Sequence, residues 1–586
     1  MELIYLWIEE YKNIKNQGFN FSPKFDCTYD EKTLTLIIDE HENYIEGFFG
    51  ENINVTAIVG KNGSGKSNIF ESLLSNLMYS NGIPIDTKMG ILSVFYNKDN
   101  NQYYWKELSG GLTHIHVNNL NGSDITFEDR RKYEAKTLPF TFHYNYSLDW
   151  VNNYENNLNF DKLYHKTDNY STPILLQPNK SNKRISITSI DYIATRDILY
   201  FTIKNNIKFD FIEEFFIPIS CRLEYSFSDI SKKDNNIFFE KLEEQANKTW
   251  DVEHFRFEAY CYILRKTIDK GEKDKYTFIN DEEFKKVLLK NELYENFDRL
   301  IHIIRNNSFN ALFDNKIEYK IRKIQDTFKF LEYIKDMKTE PMGWNLIKGK
   351  KTIKEDKDIL LYLPPYIQVE FFDKNNVSFY SLSYGQKFII KFIYSLLNQL
   401  KNLESHPEYQ DINILLDEVE QGLHPEWQKK FLNLLLQVLK KQKNYKINII
   451  CATHSPFILS DIPKNNIYFI KDGKKDIGIK KQTFGANIHT LLSDGFFMND
   501  GLMGEFAKKK IQEIMDFLNG KKTIDEISTK EKHIKQVIES IGEPFLSRKL
   551  LDMYCAKYQE KSLKEIRKKE LLAEQKRIEK ELKNYD

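Results

Sequence analysis

The stretch that decides the fold is AIVGKNGSGKSNIF, residues 57–70. It has the pattern of a buried strand end, a glycine-rich loop and the start of a helix with an apolar face. Glycines let the backbone curl so that successive N–H groups point at one anion, and the helix start adds the positive end of its dipole. The stretch therefore predicts a loop that binds the phosphates of a nucleotide.

Separate roles within the loop follow from the pattern G-x-x-x-x-G-K-[ST], which is complete here. We expect Lys66 to reach the β- and γ-phosphates and the Ser67 hydroxyl to bind Mg²⁺. ATP and Mg²⁺ are the predicted cofactors. The residues expected to contact the nucleotide are Gly60, Asn62, Gly63, Ser64, Gly65, Lys66 and Ser67. A chance glycine-rich turn is the alternative, and the flanking strand and helix disfavour it.

Composition leaves room for several domains and limits the partners. The 586 residues are 41% hydrophobic, which allows large cores. Because 85 basic residues balance 85 acidic ones, only a local patch would attract nucleic acid or a membrane surface. The five cysteines lack C-x-x-C spacing, the first residues lack the basic start of a signal peptide, and apolar runs are too short for a membrane helix. We therefore expect a cytoplasmic protein that does not contact a membrane.

A second helix start fit for an anion is predicted in SLSYGQKFII, residues 381–390. A short strand through Val377 and Phe379 is expected before it, and an amphipathic helix after it. Ser383 occupies the N-cap position, and Gly385 and Gln386 belong to the first turn. By itself this pattern is also that of a common capped helix.

Two adjacent acids follow the predicted strand in INILLDEVEQGLHPEWQ, residues 412–428. Asp417 is expected to bind Mg²⁺ through water, and Glu418 to polarise an attacking water. Neighbouring carboxylates at a strand end are costly to bury without a cation, which favours a metal-phosphate site. The roles of Glu420 and His424 stay open. Glu420 either belongs to that site or is a solvated loop acid, and His424 either belongs to that site or lies at the entry of the next helix.

A third buried strand ends in a histidine in INIICATHSPFILSD, residues 447–461. We expect this strand to lie beside the Asp417 strand and to deliver Thr453, His454 and Ser455 to the same sheet edge. A lone histidine is usually structural. At this edge, however, His454 could donate a hydrogen bond to a γ-phosphate oxygen.

Together these segments resemble the nucleotide-binding domain of the ABC ATPase superfamily. GKNGSGKSN is similar to its Walker A motif, LSYGQ to its signature, ILLDE to its Walker B motif and THS to its switch histidine, in the superfamily order. The resemblance implies that two such domains face each other, with each ATP between Walker A of one and the signature of the other. Ser383, Gly385 and Gln386 would then act in trans, Glu418 would be the general base, and the ATP-bound chain would be at least a dimer.

The spacing of the motifs resembles the branch that contains RecF, SMC, Rad50 and OLD proteins. Residues 69–381 separate Walker A from the signature, and GLHP follows Walker B as in that branch. The opening LIYLWIEEYKNIKNQGFNFSP is similar to the first strand pair of that branch, whose aromatic and basic edge lies near the nucleotide. Apolar heptad repeats continue over too few turns for a long coiled-coil arm. The insertion is therefore expected to be compact.

The expected fold class is α/β, an ABC-type P-loop domain split by a helical insertion and followed by a helical C-terminal region. An antiparallel subdomain is expected over 91–145 and a charged linker over 346–358, with the glutamine loop of the superfamily near His143 and Asn145. The predicted domains are the N-terminal half of the ATPase domain with an antiparallel β subdomain (1–150), a mainly helical insertion (151–358), the C-terminal half of the ATPase domain (359–482) and a helical region for partner docking or oligomerisation (483–586).

The C-terminal region shows neither the acidic pattern of a Toprim nuclease nor an H-N-H or zinc-finger spacing. Its segments FGANIHTLLSDGFF, GLMGEFAKKKI and IGEPFLSRKLLDMY resemble the Septu-type antiphage ATPases, PtuA, including retron-linked forms. That resemblance implies a separate HNH-type nuclease partner (PtuB), bound DNA or retron nucleic acid, and no intrinsic nuclease. A RecF-like repair ATPase and a self-contained ATPase toxin are the alternatives. The final helix, about 562–583, is either a docking element or a solvated tail.

Overall fold

The structure is a computed structural model, and the protein forms two compact units, 1–497 and 498–586. The second unit lies within the predicted helical C-terminal region. The residues that the structure describes are 1–32, 35–41, 44–79, 90–109, 112–119, 124–125, 138–145, 174–177, 195–196, 198–199, 201, 216–225, 263, 301–306, 318–334, 342–345, 363, 367–404, 406–476, 481–492, 503–558 and 563–582.

The first unit contains both strands and helices, and the elements in the described part of the second unit are all helical. The strands are β1 Glu2–Tyr11, β2 Ile14–Asn20, β3 Phe25–Asp30, β4 Thr35–Glu40, β5 Ile53–Val59, β6 Ile91–Asn97, β7 Gln102–Ser109, β8 Leu112–Asn119, β9 Asp124–Ile125, β10 Phe140–Asn145, β11 Ile174–Gln177, β12 Ser220–Tyr225, β13 Met342–Asn345, β14 Ile367–Phe372, β15 Asp411–Asp417, β16 Lys446–Thr453, β17 Ile467–Lys471 and β18 Lys474–Lys475. The helices are α1 Lys66–Tyr79, α2 Glu318–Ile334, α3 Tyr384–Leu403, α4 Pro425–Leu439, α5 Pro456–Ser460, α6 Ile488–Thr490, α7 Glu505–Leu518, α8 Ile534–Glu539, α9 Pro544–Tyr558 and α10 Leu563–Leu582.

A seven-stranded sheet in the order β11-β10-β15-β16-β5-β17-β18 forms the centre of the first unit. Neighbours from β11 to β17 are parallel, and only β18 pairs antiparallel. The central strands are buried on both faces, as expected for a parallel sheet that is covered on each side. The predicted α/β fold class is confirmed.

Two hydrophobic cores cover the two faces of this sheet. On one face, α1 lies between the parallel sheet and a five-stranded antiparallel sheet, β2-β1-β6-β7-β8, and its buried side chains include Phe70 and Leu74. On the other face, α3 and α4 contribute Phe392 and Leu435 to the largest core. The sheet is therefore fixed from both sides, which makes its strand ends a rigid platform.

A row of hydrogen-bonded amide side chains favours one register of the parallel strands. Asn54, Asn448 and Asn413 are paired across β5, β16 and β15, and Thr141 continues the row on β10. Asn54 Nδ2 donates to Asn448 Oδ1 at 3.1 Å, and Asn413 Nδ2 donates to Thr141 Oγ1 at 3.4 Å. A slip by one residue would move an amide to the opposite face and leave it among apolar side chains.

Two details differ from the sequence-based expectations. Strands β6 to β8 are antiparallel as predicted, but β10 leaves that group and pairs parallel with β15. The insertion also supplies strands, because β12 pairs with β13 and β14. Much of the insertion, including the expected linker 346–358, lies outside the described residues.

The strand predicted through Val377 and Phe379 is wrong. The strand before α3 is β14, and Phe379 begins a short 3₁₀ helix. The Asp373 carboxylate accepts from the N–H groups of Asn375 and Val377, both at 2.8 Å, which closes a turn instead of extending the strand.

The second unit is helical, as predicted. Helices α7, α8 and α9 share a core that includes Ile514, Ile538 and Leu550. The predicted final helix is α10, on which Leu571 and Ile578 are about half exposed. In the part of the chain that the structure describes, no helix has the length and apolar character needed to cross a membrane.

Candidate functional site

The glycine-rich loop joins β5 to α1, and the helix begins at Lys66 as predicted. Gly63 and Gly65 have φ values of +77° and +107°, which L side chains rarely adopt. A Cβ on Gly65 would also lie 2.9 Å from Asn13 Oδ1. Asn62 and Gly63 are exposed, whereas Lys66 is 5% exposed. The loop thus presents its backbone outward and its lysine inward.

Support for this loop comes from the β1–β2 hairpin, which sequence reasoning placed only as an edge near the nucleotide. Asn13 Nδ2 donates to the Gly63 carbonyl at 3.0 Å, and Asn68 Nδ2 donates to Asn13 Oδ1 at 2.8 Å. The neighbouring Lys12 ammonium contacts the buried Glu71 carboxylate at 2.7 Å. No motif marks Asn13 in the sequence, because its partners become neighbours only in the folded chain.

The carboxyl ends of three neighbouring strands bring the other predicted residues to the loop. Asn145, Asp417 and Ala452 are register partners at the ends of β10, β15 and β16, and His454 follows β16 directly. Ligands of open α/β sheets bind at this edge. The structure therefore joins Lys66 and Ser67 with Asp417, Glu418 and His454, residues that are up to 388 positions apart in the chain.

Asp417 lies between two hydrogen-bond donors, Ser67 and Asn145. Its Oδ1 accepts from Ser67 Oγ at 3.2 Å, and its Oδ2 accepts from Asn145 Nδ2 at 2.8 Å. Burial raises the pKa of Asp417 to about 7, although the hydrogen bonds of Ser67 and Asn145 favour its charged form. A buried carboxylate beside a hydroxyl fits Mg²⁺, which prefers oxygen ligands and offsets the cost of burying the charge.

The loop itself also fits a phosphate. Among the described residues, the buried Ser64 hydroxyl has no hydrogen-bond partner, so that it is available to donate to an anion. Lys66 Nζ contacts the carbonyl oxygens of Gly60 and Lys61 at 3.3 and 3.4 Å. Burial lowers the pKa of Lys66, and the nearby Glu418 charge opposes that effect. An anion at the loop would stabilise the charged ammonium further.

Glu418 and His454 lie against Lys66. Glu418 Oε1 is 3.2 Å from Lys66 Nζ and 3.0 Å from His454 Nε2, and the Lys66 and His454 nitrogens are 2.6 Å apart. A neutral His454 accepts from Lys66, whereas a protonated one donates to Glu418. Burial acts to raise the pKa of Glu418, but the His454 hydrogen bond and the Lys66 charge outweigh it, so the pKa is lowered.

The backbone of Glu418 has a φ of +50°, in the left-handed region that is uncommon for non-glycine residues. Its N–H donates to the Ala452 carbonyl at 2.9 Å, and its second carboxylate oxygen accepts from Gln421. Such conformations persist where surrounding contacts fix them, and they are concentrated at functional sites.

Two residues that the sequence left open have clear surroundings. His424 is the N-cap of α4, and its Nδ1 accepts from the Glu426 N–H at 3.3 Å, so the helix-entry role is confirmed. Glu420 is only 5% exposed and accepts from the Thr453 hydroxyl. The role of a solvated loop acid is therefore wrong for Glu420, because a fixed donor replaces water at its carboxylate.

The signature residues make their contacts at the start of α3. Ser383 is the predicted N-cap and forms a capping box with Gln386: the Ser383 N–H donates to Gln386 Oε1 at 3.0 Å. Gly385 is buried against α4, where a Cβ would lie 2.9 Å from Trp427 Cδ1. Ser383 and Tyr384 are exposed. This arrangement leaves the helix start open to another molecule.

A comparison with the sequence models of known families gives a match to part of the chain. Residues 196–460 match the sequence model of a family described as "AAA domain, putative AbiEii toxin, Type IV TA system". This stretch includes the signature, Asp417, Glu418 and His454, whereas the glycine-rich loop precedes it.

Two curated retron proteins are similar to the chain. "Retron Ec83 probable ATPase" from Escherichia coli is 36% identical over 108 residues, which cover 18% of this chain and 19% of that protein. "Retron Vc95 probable ATPase" from Vibrio cholerae serotype O1 biovar El Tor is 23% identical over 240 residues, which cover 37% of this chain and 45% of that protein. The chain therefore spans less than half the length of either relative.

Among solved structures, the recombination mediator protein RecF-ATPrS is 16% identical, with 81% of this chain and 97% of that chain covered and a TM-score of 0.26. The SMC head domain from Thermotoga maritima is 11% identical, with 81% and 97% covered and a TM-score of 0.24. At these TM-scores the likeness is weak. Residues 196–460 are thus similar to an AAA-type family, and two proteins named retron probable ATPases are among those that the chain resembles.

Proposed function

We propose that the chain binds ATP with Mg²⁺ at the loop after β5 and hydrolyses it. The observation that supports this most is the convergence of Lys66, Ser67, Asp417, Glu418 and His454 at one sheet edge. These are the groups that phosphoryl transfer requires, namely a phosphate-binding cation, metal ligands and a base beside them.

The division of labour follows from the contacts. Ser67 and Asp417 would hold Mg²⁺, which supplies charge neutralisation at the phosphates when it is bound. Asn145 orients Asp417 through its 2.8 Å hydrogen bond. Glu418 has a lowered pKa, so it is ionised at neutral pH and can accept a proton from water. His454 can donate to a phosphate oxygen from the position it shares with Glu418.

We also propose that the working unit is at least a dimer, with Ser383, Gly385 and Gln386 completing the site of a second copy. Two features support this proposal: the start of α3 is exposed, and it is a helix N-terminus suited to an anion. The trans arrangement follows from the ABC resemblance.

The cellular role that we propose is antiphage defence. The supporting observations are the similarity to two retron ATPases and the resemblance of the C-terminal segments to Septu-type PtuA. In this role the ATPase cycle senses or clamps DNA or retron nucleic acid and regulates a separate HNH-type nuclease. The second unit, with α10, is a candidate for docking that nuclease.

The test is to incubate the purified chain, alone and with a co-expressed neighbouring nuclease, with plasmid, linear and single-stranded DNA in Mg²⁺ and Mn²⁺. We expect cleavage only with the partner, and a change in that cleavage in Lys66→Ala protein. Nicking by the chain alone that co-elutes with it and survives Lys66→Ala would reveal an intrinsic nuclease and contradict the proposed role.

A self-contained ATPase toxin is the second candidate, and the toxin description of the matching family favours it. Expression of the chain alone would then stop growth in a Lys66-dependent way, and the purified chain would show no salt-dependent DNA binding. Harmless expression combined with salt-dependent binding would favour the defence role.

A further inference from the structure

A buried carboxylate lies two residues beyond the candidate base without being part of the proposed chemistry. Glu420 is 5% exposed, on the loop that joins β15 to α4. It accepts a hydrogen bond from the Thr453 hydroxyl. Because Glu420 is buried and its donor Thr453 is fully buried as well, this carboxylate is held in one place.

The contacts of Glu420 belong to a closed ring of hydrogen bonds. Thr453 Oγ1 donates to Glu420 and accepts from the Ser455 N–H at 2.9 Å. Ser455 Oγ donates to Gln428 Oε1 at 2.8 Å, and Gln428 Nε2 donates to the Leu423 carbonyl at 2.9 Å. Leu423 lies on the same loop as Glu420, so the ring returns to its starting point.

His454 lies between two members of this ring. Thr453 and Ser455, the residues on either side of His454, are 0% and 3% exposed, and both are ring members. His454 is fixed before and after its own position, while its imidazole remains 29% exposed beside Glu418. A histidine that must meet a phosphate oxygen within hydrogen-bond distance gains from such a fixed backbone.

We infer that Glu420 is a positioning residue: through Thr453, Ser455 and Gln428 it holds His454 in register with Glu418 at the hydrolytic site. This inference rests on the proposed ATP hydrolysis. Glu420 acts through His454 and touches no reacting atom, so its loss changes the rate of the chemical step more than it changes nucleotide binding. A role limited to loop stability would instead weaken binding and hydrolysis together.

The experiment compares Glu420→Ala, which removes the acceptor of the Thr453 hydroxyl, with the matched control Glu426→Ala, a change of an exposed acid on α4. For each protein, kcat, KM and the calorimetric Kd for ATP are measured. We expect Glu420→Ala to lower kcat about 10-fold to 100-fold with Kd changed less than about threefold, because the displaced His454 is expected to contact the reacting phosphate. Glu426→Ala should match the parent.

Further variants separate positioning from folding. Thr453→Ser keeps the hydroxyl and should retain near-parental kcat, whereas Thr453→Val should behave like Glu420→Ala. If either disruptive variant fails to fold, Ser455→Ala removes one ring hydroxyl and should still lower kcat. In a cycle with His454→Ala, Glu420→Ala should cost little more once the imidazole is gone, since both act through one group.

The inference is overturned if Glu420→Ala leaves kcat unchanged, if kcat and ATP affinity fall together, or if its effect multiplies that of His454→Ala. Failure of the proposed function gives a different result, because Lys66→Ala and Glu418→Gln would then leave hydrolysis intact. A loss of hydrolysis in those two variants with a parental Glu420→Ala would contradict only the positioning role.

Discussion

Lys66 Nζ lies 3.2 Å from Glu418 Oε1, so the cation expected to bind phosphate and the carboxylate expected to activate water form one ion pair. A phosphate at the loop competes with Glu418 for this ammonium, because both are anions. When Lys66 turns to phosphate, Glu418 loses a charge that lowers its pKa, and it becomes a stronger base. In the proposed site, nucleotide binding and base strength would therefore be coupled through this pair.

The pair makes a specific prediction for Glu418→Gln. This change keeps the shape of the side chain but removes the base, so hydrolysis should fall about 10²-fold or more. ATP should bind at least as tightly as before, since Lys66 loses its competing anion. Phosphate release and calorimetry measure the two effects, and parental hydrolysis would show that another residue is the base.

Burial of Asp417 predicts a pH-dependent stability. Burial raises the pKa of Asp417 to about 7, so between about pH 4 and 7 the folded chain keeps a proton that the unfolded chain has lost. The free energy of unfolding therefore falls as pH rises through this window. Without Mg²⁺, Asp417→Asn should raise the Tm by a few degrees at pH 8 and much less at pH 5. An equal shift at both pH values would contradict this origin.

Loss of the Asn145 side chain should raise the Mg²⁺ concentration that hydrolysis requires. Asn145→Ala removes a donor to the ionised form of Asp417, so the pKa of Asp417 should rise and Mg²⁺ should compete less well with a proton. We expect the Mg²⁺ concentration for half-maximal hydrolysis at pH 7 to rise about 10-fold. Asn413→Ala, which removes a buried amide elsewhere in the sheet, should leave this requirement unchanged. Equal effects of the two variants would indicate general destabilisation.

If each ATP site is shared between two chains, a variant in the loop and a variant in the signature should complement each other. Ser383→Arg adds bulk at the exposed start of α3 and should block hydrolysis but not ATP binding. Mixed with Lys66→Ala protein, it should recover part of the activity, because one composite site has an intact loop and an intact signature. Ser383→Asn, which preserves an N-cap residue, controls for the cap. Subunit exchange without any recovery would argue against shared sites.

The parallel sheet and the loop were predictable because both depend on local patterns. β5, β15 and β16 are short apolar strands, each followed by polar residues, and such strands end at one sheet edge. The order of the motifs therefore predicted from the sequence that Lys66 and Asp417 belong to one site. What the patterns could not supply was the set of partners from distant segments, such as Asn13 at the loop.

The remaining errors have physical causes as well. Apolar and polar residues alternate in β10 as they do in an antiparallel strand. Its parallel pairing with β15, which the sequence pattern does not reveal, makes it part of the parallel sheet. The turn at Asp373 depends on side-chain acceptance of two backbone N–H groups. Glu420 was ambiguous because an acid in a polar loop is usually solvated, and its donor Thr453 lies 33 residues away.

The most direct test of the account is ATP binding by calorimetry to Lys66→Ala and to Lys61→Ala. Both variants lose one positive charge from the same loop, but Lys66 is buried among Glu418, His454 and the loop carbonyls, whereas Lys61 is exposed. We predict that Lys66→Ala abolishes binding and that Lys61→Ala changes it only slightly. Undiminished ATP binding by folded Lys66→Ala protein would contradict the assignment of the site.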